Sequence, residues 1–424
     1  MSKAKNRVVI SGIGVISAWG YCHNTFWRNL CAGRSAIKRL SLTEETSLPV
    51  RYGAPVDFEL LTAAFPHLLP PPGVTDRRGV MGLIAANKAI TDAGIKEHET
   101  QDMKMGVFAC SGVVEIQEVD RALCSGSSSP LQTLRDKYAE LSRFSGLTCP
   151  NDGMVVEIAR RYRLTGPMSN VNAACSGGSH AIGLAYRAIQ RGEADVMLAG
   201  GADSVLSLRT LIGLKLLGAT ATTEKWEETL CRPFDNTRSG LVAGEGAAFM
   251  ILESEEHARQ RGANIYAEIK GYGSSLDAWK LTAPHPQGRG AEAAIREALY
   301  DSGLRQDQIQ YINAHGTSTQ LNDVIETAVI RRVFDGSAVP LVSSTKSMTG
   351  HWIAAAGALE AVITALTLKH NFVPPTINLS TPDPECDLDY VANYGRDIPV
   401  SNAMSNSFGF GGINSCLVMG DYEP

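Results

Sequence analysis

The sequence has no pair of cysteines at C-x-x-C spacing, although nine cysteines are scattered from position 22 to position 416. That absence argues against a zinc knuckle, and an odd, dispersed set argues against a disulfide framework, so free thiols in a reducing cytoplasm are expected. Charge of one sign is equally scarce. With 39 basic and 44 acidic residues the net charge is -5, and without a broad cationic field neither nucleic acid nor an anionic membrane is an expected partner. The most apolar stretch, 352–368, carries Glu360 near its centre and small residues throughout, which suits a buried core helix better than a membrane span. The basic opening, Met1 to Arg7, leads into an apolar run too short for a signal peptide. What remains is an ordinary globular chain of 424 residues, large enough for about two or three domain-sized units.

Glycine is plentiful at 41 residues, and it falls in short clusters after apolar runs (12–14, 200–201, 409–412), where turns are expected. Short apolar strand candidates at 7–11, 106–110, 169–173, 195–199, 246–253, 265–271, 310–314, 341–344, 403–407 and 415–419 alternate with helical patterns at 80–93, 176–190, 291–301, 323–334 and 351–369. That alternation predicts an α/β protein whose sheets are covered on both faces. Residues 88–95, Lys-Ala-Ile-Thr-Asp-Ala-Gly-Ile, are echoed at 297–304 by Glu-Ala-Leu-Tyr-Asp-Ser-Gly-Leu. Each copy is followed by a strand, and later by a strand entering a small-residue helix. The order suggests a duplicated α/β unit with a boundary near 255–265, dividing the chain into 1–258 and 259–424.

Three segments have the residue types of covalent chemistry. In Val-Asn-Ala-Ala-Cys-Ser-Gly-Gly-Ser-His (171–180) a strand turns into a helix at Cys175. There, amide donors and the helix dipole are expected to lower the thiol pKa and to bind an oxyanion. His315 opens a Gly-Thr-Ser-Thr loop after a strand, and His351 follows Ser-Ser-Thr-Lys-Ser-Met-Thr-Gly (343–350) at the expected start of a helix, which would favour its neutral form. Together they form a Cys/His/His set on matching elements of the repeat. Lys346, in an otherwise uncharged loop, is expected to pair with a buried carboxylate, Glu360 or Glu326. Cys175, His315, His351 and Asp323 are possible metal ligands, but no pair has the short spacing of a zinc site, so no metal is expected. A glycine loop around Phe408 and Phe410 has the composition of a gate. The Gly12–Ser17 segment imitates a dinucleotide fingerprint but has no acidic residue at the required distance, and no cofactor is expected.

Taken in order, these residues resemble the β-ketoacyl-acyl-carrier-protein synthases, the synthase II group and the ketosynthase subunits of type II polyketide systems. The resemblance also covers Arg232-Pro-Phe-Asp235, Gly244-Glu-Gly246, Pro374-Pro-Thr-Ile-Asn-Leu379 and Asn406-Ser-Phe-Gly-Phe-Gly-Gly412. It implies a thiolase-like fold, duplicated α/β halves in a five-layered α-β-α-β-α arrangement, usually in a dimer. It further implies decarboxylative condensation of malonyl-carrier protein with an acyl chain on Cys175, His315 and His351 stabilising the enolate. The amides of Cys175 and Phe408 would form the oxyanion hole, with Phe408 and Phe410 at the gate. Lys346 and Glu360 would organise the site, and Thr282, Thr317 and Thr319 would line the pantetheine channel.

Some positions depart from the family pattern. Lys280 stands where histidine is usual, Ser239 and Leu241 replace an acidic or polar residue and phenylalanine, and Ala174-Cys-Ser-Gly-Gly178 is a less usual elbow. These favour polyketide or polyene assembly over housekeeping fatty-acid elongation. The presence of Cys175 distinguishes the chain from an inactive chain-length-factor subunit, though it could pair with one in place of a homodimer. Residues 113–153 would help floor the acyl pocket and the dimer interface. Acyl carrier protein is the expected partner, docking on a basic patch at the channel mouth that includes Lys280. Two other readings stay open: a thiolase-fold protein that binds acyl chains or a partner without turnover, and a coenzyme-A thiolase or acetyl-primed synthase, the latter disfavoured by the second histidine.

Overall fold

The computed structural model describes residues 6–41, 50–70, 76–112, 132, 135, 152–221 and 225–423. Ten strands form one sheet: β1 (Val8–Ile16), β2 (Met105–Ser111), β3 (Met168–Val171), β4 (Val196–Asp203), β5 (Gly246–Ser254), β6 (Ala267–Leu276), β7 (Tyr311–Asn313), β8 (Leu341–Ser343), β9 (Asn402–Gly409) and β10 (Ile413–Gly420). The first five lie in the order β3-β2-β4-β5-β1, and the last five in the order β8-β7-β9-β10-β6. The two orders are the same when strands are counted within each half. So are the directions: β2/β3 and β2/β4 are parallel while β4/β5 and β1/β5 are antiparallel, and β7/β8 and β7/β9 are parallel while β9/β10 and β6/β10 are antiparallel. The half-sheets meet where β1 pairs with β6, Val8 opposite Ile269.

Helices α1 (Arg77–Asp92) and α2 (Gly153–Tyr162) cover the outer face of the first half-sheet, burying Leu83, Ile84, Val155 and Ile158 against Val107, Leu198 and Ile251. Helices α5 (Arg289–Ser302) and α6 (Gln320–Val333) cover the outer face of the second, with Ile295, Leu299 and Ile330 against Ile312 and Met404. Between the half-sheets lie α3 (Gly177–Gln190) and α7 (Ala356–His370), whose Ile182, Ile189, Leu359 and Ile363 share one cluster with strands of both halves. The layering is α-β-α-β-α. Helix α7 is apolar all round because it has no face toward water: the stretch Ile353–His370 has the length and composition of a membrane span but lies in the core. One further helix, α4 (Leu208–Leu216), leads toward the site described below.

Two glycine clusters read as turns are interior to strands. A Cβ on Gly12 or Gly14 would lie 2.3 Å or 2.0 Å from the carbonyl oxygens of Ala89 and Ala85, so bare backbone is what lets α1 rest on β1. Gly200 in β4 is likewise 2.1 Å, at Cβ distance, from Ala248 O on β5. The helix read at 351–369 is also interrupted: His351 bridges to Ala243, a 3-10 turn covers Ile353–Ala355, and α7 begins at Ala356. Residues 113–153, read as pocket floor and dimer interface, lie almost wholly outside the described residues.

Candidate active site

Cys175 sits in a 3-10 turn, Ala174–Ser176, between β3 and α3. The turn is sharp. Ala174 has a φ of 45°, and Ser176 bonds back to Ala173 O through both its amide and its hydroxyl. Two glycines then let α3 enter the core: a Cβ on Gly177 would come within 2.0 Å of Cys110 Sγ, and one on Gly178 within 2.5 Å of the Ala358 amide on α7. The thiol is wholly buried, and burial pushes it up to about 11, the opposite of the direction expected from the helix dipole. The Phe410 amide and the Lys346 charge offset only part of that cost. Phe408, whose amide is the expected second oxyanion donor, lines the cavity on the same loop.

His315 follows β7 and His351 follows β8, and their rings stand 5.4 Å apart and nearly perpendicular. His351 is not at a helix N-terminus; its neutrality comes from burial and from Lys346, which hold it well below the usual histidine range. Its Nδ1 accepts from the Ile353 amide at 3.1 Å, which leaves Nε2 as the protonated nitrogen. His315 is depressed by burial first, then by Lys346 and His351. Lys346 Nζ reaches its Nδ1 at 3.4 Å and its carbonyl at 2.6 Å, so Nε2 carries the hydrogen here as well. Both rings therefore present an N–H donor.

Lys346 pairs with Glu360 on α7, and both are almost fully buried. Burial raises the Glu360 carboxyl to about 7 in spite of the lysine. Glu326, the other carboxylate considered for Lys346, serves the backbone instead: it accepts from the amides of His315 and Gly316 at 2.8 Å each and from Asn406 at 3.1 Å. It is the post that holds the histidine loop in place.

These groups open onto one cavity of about 390 Å³, lined by Cys175, His315, His351 and Phe408 together with Thr282, Thr317 and Thr319. Thr317 and Thr319 are hydrogen-bonded to each other at 2.8 Å. The Phe408 ring lies 5.8 Å from that of His315, while Phe410 packs on the apolar cluster that contains Cys175 and Leu241. Ser239 lines the same cavity, whereas the side chain of Lys280 is exposed outside it, 6.0 Å from the Trp279 ring. Two residues to which the sequence gave no role fasten the phenylalanine loop. Asp277 accepts from Asn414 at 2.9 Å and its amide donates to Gly412 O at 2.8 Å, while the Gly411 amide donates to Leu281 O at 2.7 Å. An aspartate opening a segment rich in small and exposed residues, 277–285, was the available signal.

The chain matches the family models for the beta-ketoacyl synthase N-terminal domain over residues 5–258 and the beta-ketoacyl synthase C-terminal domain over residues 266–380. It is 38% identical over 420 residues, 98% of each chain, to 3-oxoacyl-[acyl-carrier-protein] synthase 2 of Coxiella burnetii. Two solved structures share the fold closely. The ishigamide ketosynthase/chain length factor superposes with a TM-score of 0.86 at 33% identity, covering 99% of this chain and 100% of that one. A type II PKS ketosynthase in complex with its acyl-carrier protein, bound to the hexaketide, gives 0.84 at 32% identity with the same coverage. With both halves matched and nearly the full length aligned, the chain belongs to the β-ketoacyl synthase family, and its fold is the thiolase-like one of that family.

Proposed function

We propose that the protein is a condensing acyltransferase, a 3-oxoacyl-[acyl-carrier-protein] synthase acting in fatty-acid or type II polyketide assembly. The observation that carries this is the convergence of a buried cysteine and two neutral N–H-donating histidines on one cavity, with the Lys346–Glu360 pair buried behind His315. In the first step the Cys175 sulfur attacks the thioester carbonyl of an acyl group on carrier-protein pantetheine. A carbon–sulfur bond forms at Cys175, the pantetheine carbon–sulfur bond breaks, and the thiol proton ends on the departing pantetheine sulfur. The amides of Cys175 and Phe408 would hold the developing oxyanion, a contribution of about 3 kcal/mol per donor. In the second step the malonyl thioester oxygen accepts from Nε2–H of His315 and His351. As carbon dioxide leaves, the electron pair becomes an enolate held by those two donors. The enolate carbon attacks the acyl carbon, and the cysteine sulfur departs and regains a proton. Thr282, Thr317 and Thr319 supply hydroxyls to the pantetheine arm. Phe408 and Phe410, on a loop fastened by Asp277, separate the two steps.

The same reading divides the chain into a nucleophile half, 1–258, and a histidine half, 259–424. It also assigns a partner subunit, either a second copy or a chain-length-factor-like chain. The support for a dimer is β3, an outer edge of the sheet among the described residues, with Met168 half exposed and with exposed Val156 on α2 and Leu184 on α3, since an edge strand with apolar side chains invites pairing. The reducing cytoplasm suits a free thiol nucleophile.

The test is to incubate the protein with acyl- and malonyl-loaded carrier proteins, recording intact mass and released carbon dioxide. An acyl increment that maps to Cys175 and disappears in Cys175→Ala is expected. His315→Ala/His351→Ala should keep the increment and lose decarboxylation. Decarboxylation that survives removal of both histidines would overturn the assignment, and a folded protein that takes up no acyl group, with or without a partner subunit, would identify a non-catalytic acyl-binding chain.

A further inference from the structure

One buried carboxylate beside the site has no part in the steps above. Asp203, the last residue of β4, is wholly buried, and burial raises its carboxyl to about 7 although two backbone amides and the charge of Arg78 draw it down. Its Oδ1 accepts from the Ser204 amide at 3.0 Å and its Oδ2 from the Ala354 amide at 2.9 Å. Gly112 lies so close over it that a Cβ there would be 2.1 Å from Oδ2. Arg78 donates to Asp76 and to the Gly112 carbonyl rather than to Asp203. The Ala354 amide belongs to a strained turn. The 3-10 segment Ile353–Ala355 opens with Ile353 at a φ of 43°, a left-handed conformation that a β-branched residue rarely adopts. The first half has the same geometry: Ala174, at 45°, opens the turn Ala174–Ser176 before α3. Ala354 is thus the counterpart of Cys175, and its amide the counterpart of the one assigned to the oxyanion. In the second half that position is filled by the chain's own carboxylate.

We propose that Asp203 is a positioning residue for His351: its Oδ2 anchors the Ala354 amide and so keeps Ile353 left-handed, with the Ile353 amide aimed at Nδ1 of His351. The proposal rests on the condensing reading above, in which His351 offers Nε2–H to the enolate. The N–H groups of Ile353 and Ala354 lie on the two peptide planes that flank the Ile353 Cα. With the second plane tied to Asp203, the left-handed φ points the first at the imidazole 3.1 Å away. Without that tie Ile353 gains by rotating to negative φ, its amide leaves Nδ1, and the ring hydrogen is no longer confined to Nε2. His315 is held from Lys346 instead, so the loss is confined to one ring.

Asp203→Ala and Asp203→Asn, compared at about pH 8 where the native carboxyl is ionised, separate positioning from packing. In Asp203→Ala neither amide keeps its acceptor. In Asp203→Asn the oxygen can still take the Ala354 amide while the nitrogen faces that of Ser204, so both variants should melt below the wild type. Carbon dioxide release from malonyl-carrier protein is expected to fall about tenfold or more in Asp203→Ala and to stay within about threefold of the wild type in Asp203→Asn. The acyl increment on Cys175 should form within about twofold of the wild-type rate in both. Nitrogen-15 NMR of histidine-labelled protein reads the hydrogen directly: His351 should hold it on Nε2 in the wild type and in Asp203→Asn and share it with Nδ1 in Asp203→Ala, with His315 unchanged. Asp203→Leu, of similar volume, carries the same expectations if Asp203→Ala does not fold. An Asn variant as slow as the Ala variant, a loss shared equally by acylation and decarboxylation, or a His351 tautomer that Asp203→Ala leaves in place would overturn the positioning role. A wild type that neither takes up an acyl group nor releases carbon dioxide would sink the condensing reading, and the His351 tautomer would still decide whether Asp203 clamps the turn.

Discussion

Replacing Lys346 by methionine separates two roles that the structure gives to one ammonium group. Its Nζ neutralises Glu360 and donates to His315 at both the carbonyl and Nδ1. Breaking a buried ion pair by removing one partner costs about 3–5 kcal/mol. Here the loss should settle near the lower end, about 3 kcal/mol, because the Glu360 carboxyl, already at about 7, can take up a proton once the lysine is gone. The catalytic effect has a different origin. Without a donor at Nδ1, His315 is free to move its hydrogen there, and Nε2 then becomes an acceptor with nothing to offer an enolate. Losing one of two such donors is worth about 10²–10³ in rate. Lys346→Met should therefore cut carbon dioxide release from malonyl-carrier protein about a hundredfold while the acyl increment on Cys175 still forms. Lys346→Met/Glu360→Leu removes both charges, so thermal stability should largely return, as it does when a buried pair is exchanged for apolar groups, with decarboxylation still down about a hundredfold. Should decarboxylation return together with stability in the double variant, Lys346 would be a packing element and the tautomer argument would be refuted.

Three further outcomes follow from the same geometry. The Glu360 carboxyl, raised to about 7, is ionised above that pH and neutral below it, so its pair with Lys346 is lost as the pH falls through about 7. Carbon dioxide release should show that acid limb, and Glu360→Gln should remove the limb and hold the rate near the wild type's low-pH level. Cys175, pushed up to about 11, should be alkylated by iodoacetamide about a hundredfold more slowly at pH 8 than a thiol of ordinary pKa 9, with no plateau before about pH 10; a plateau near pH 8 would show that the amides and Lys346 outweigh burial. Gly177→Ala places a methyl 2.0 Å from Cys110 Sγ, which should cost about 1–3 kcal/mol and slow acylation by shifting the elbow. Adding Cys110→Ala should recover much of the melting temperature, and a double variant no more stable than Gly177→Ala alone would exclude this contact as the cause.

The parts of the site that were legible in the sequence are those in which local residue order decides position. Cys175 between a strand and a small-residue helix, His315 after a strand and Lys346 five residues before His351 are read directly, and α7 draws Glu360 to Lys346 because an apolar helix with one acid needs a partner for it. Other features depend on what comes to lie alongside from far away. Gly12, Gly14 and Gly200 have the same composition as turn glycines, and only the backbone of α1 and of β5 lying against them shows that they admit a neighbour. The direction of the Cys175 shift was misjudged for a related reason: the dipole of α3 is local and visible in sequence, whereas the burial that overrides it comes from layers folded over the elbow. The Phe410 amide and Asp277 lie more than a hundred positions from the groups they touch, beyond the reach of any spacing rule.

The duplicated sheet explains why nucleophile and donors meet at one place. Cys175 follows the third strand of the first half and His351 follows the third strand of the second, each just before the helix that enters the central layer. The two helices, α3 and α7, pack on each other, with Gly178 against Ala358, so the loops that precede them are brought to the same end of the core. His315 follows the second strand of its half; the corresponding position in the first half is the end of β2, where Cys110 and Ser111 are buried. Thus equivalent loops carry different chemistry: in the first half the third-strand loop supplies sulfur, while in the second half the second- and third-strand loops each supply a ring N–H. A duplicated frame holds such a site to fixed distances because each functional loop is anchored by a strand on one side and a helix on the other, a central one after Cys175 and His351 and an outer one after His315. The gate is the exception. It joins β9 to β10 without a central helix behind it, and its hold on Asp277 and Leu281 is made through hydrogen bonds at the cavity mouth, which makes it the part of the site able to move while the reacting groups stay in place.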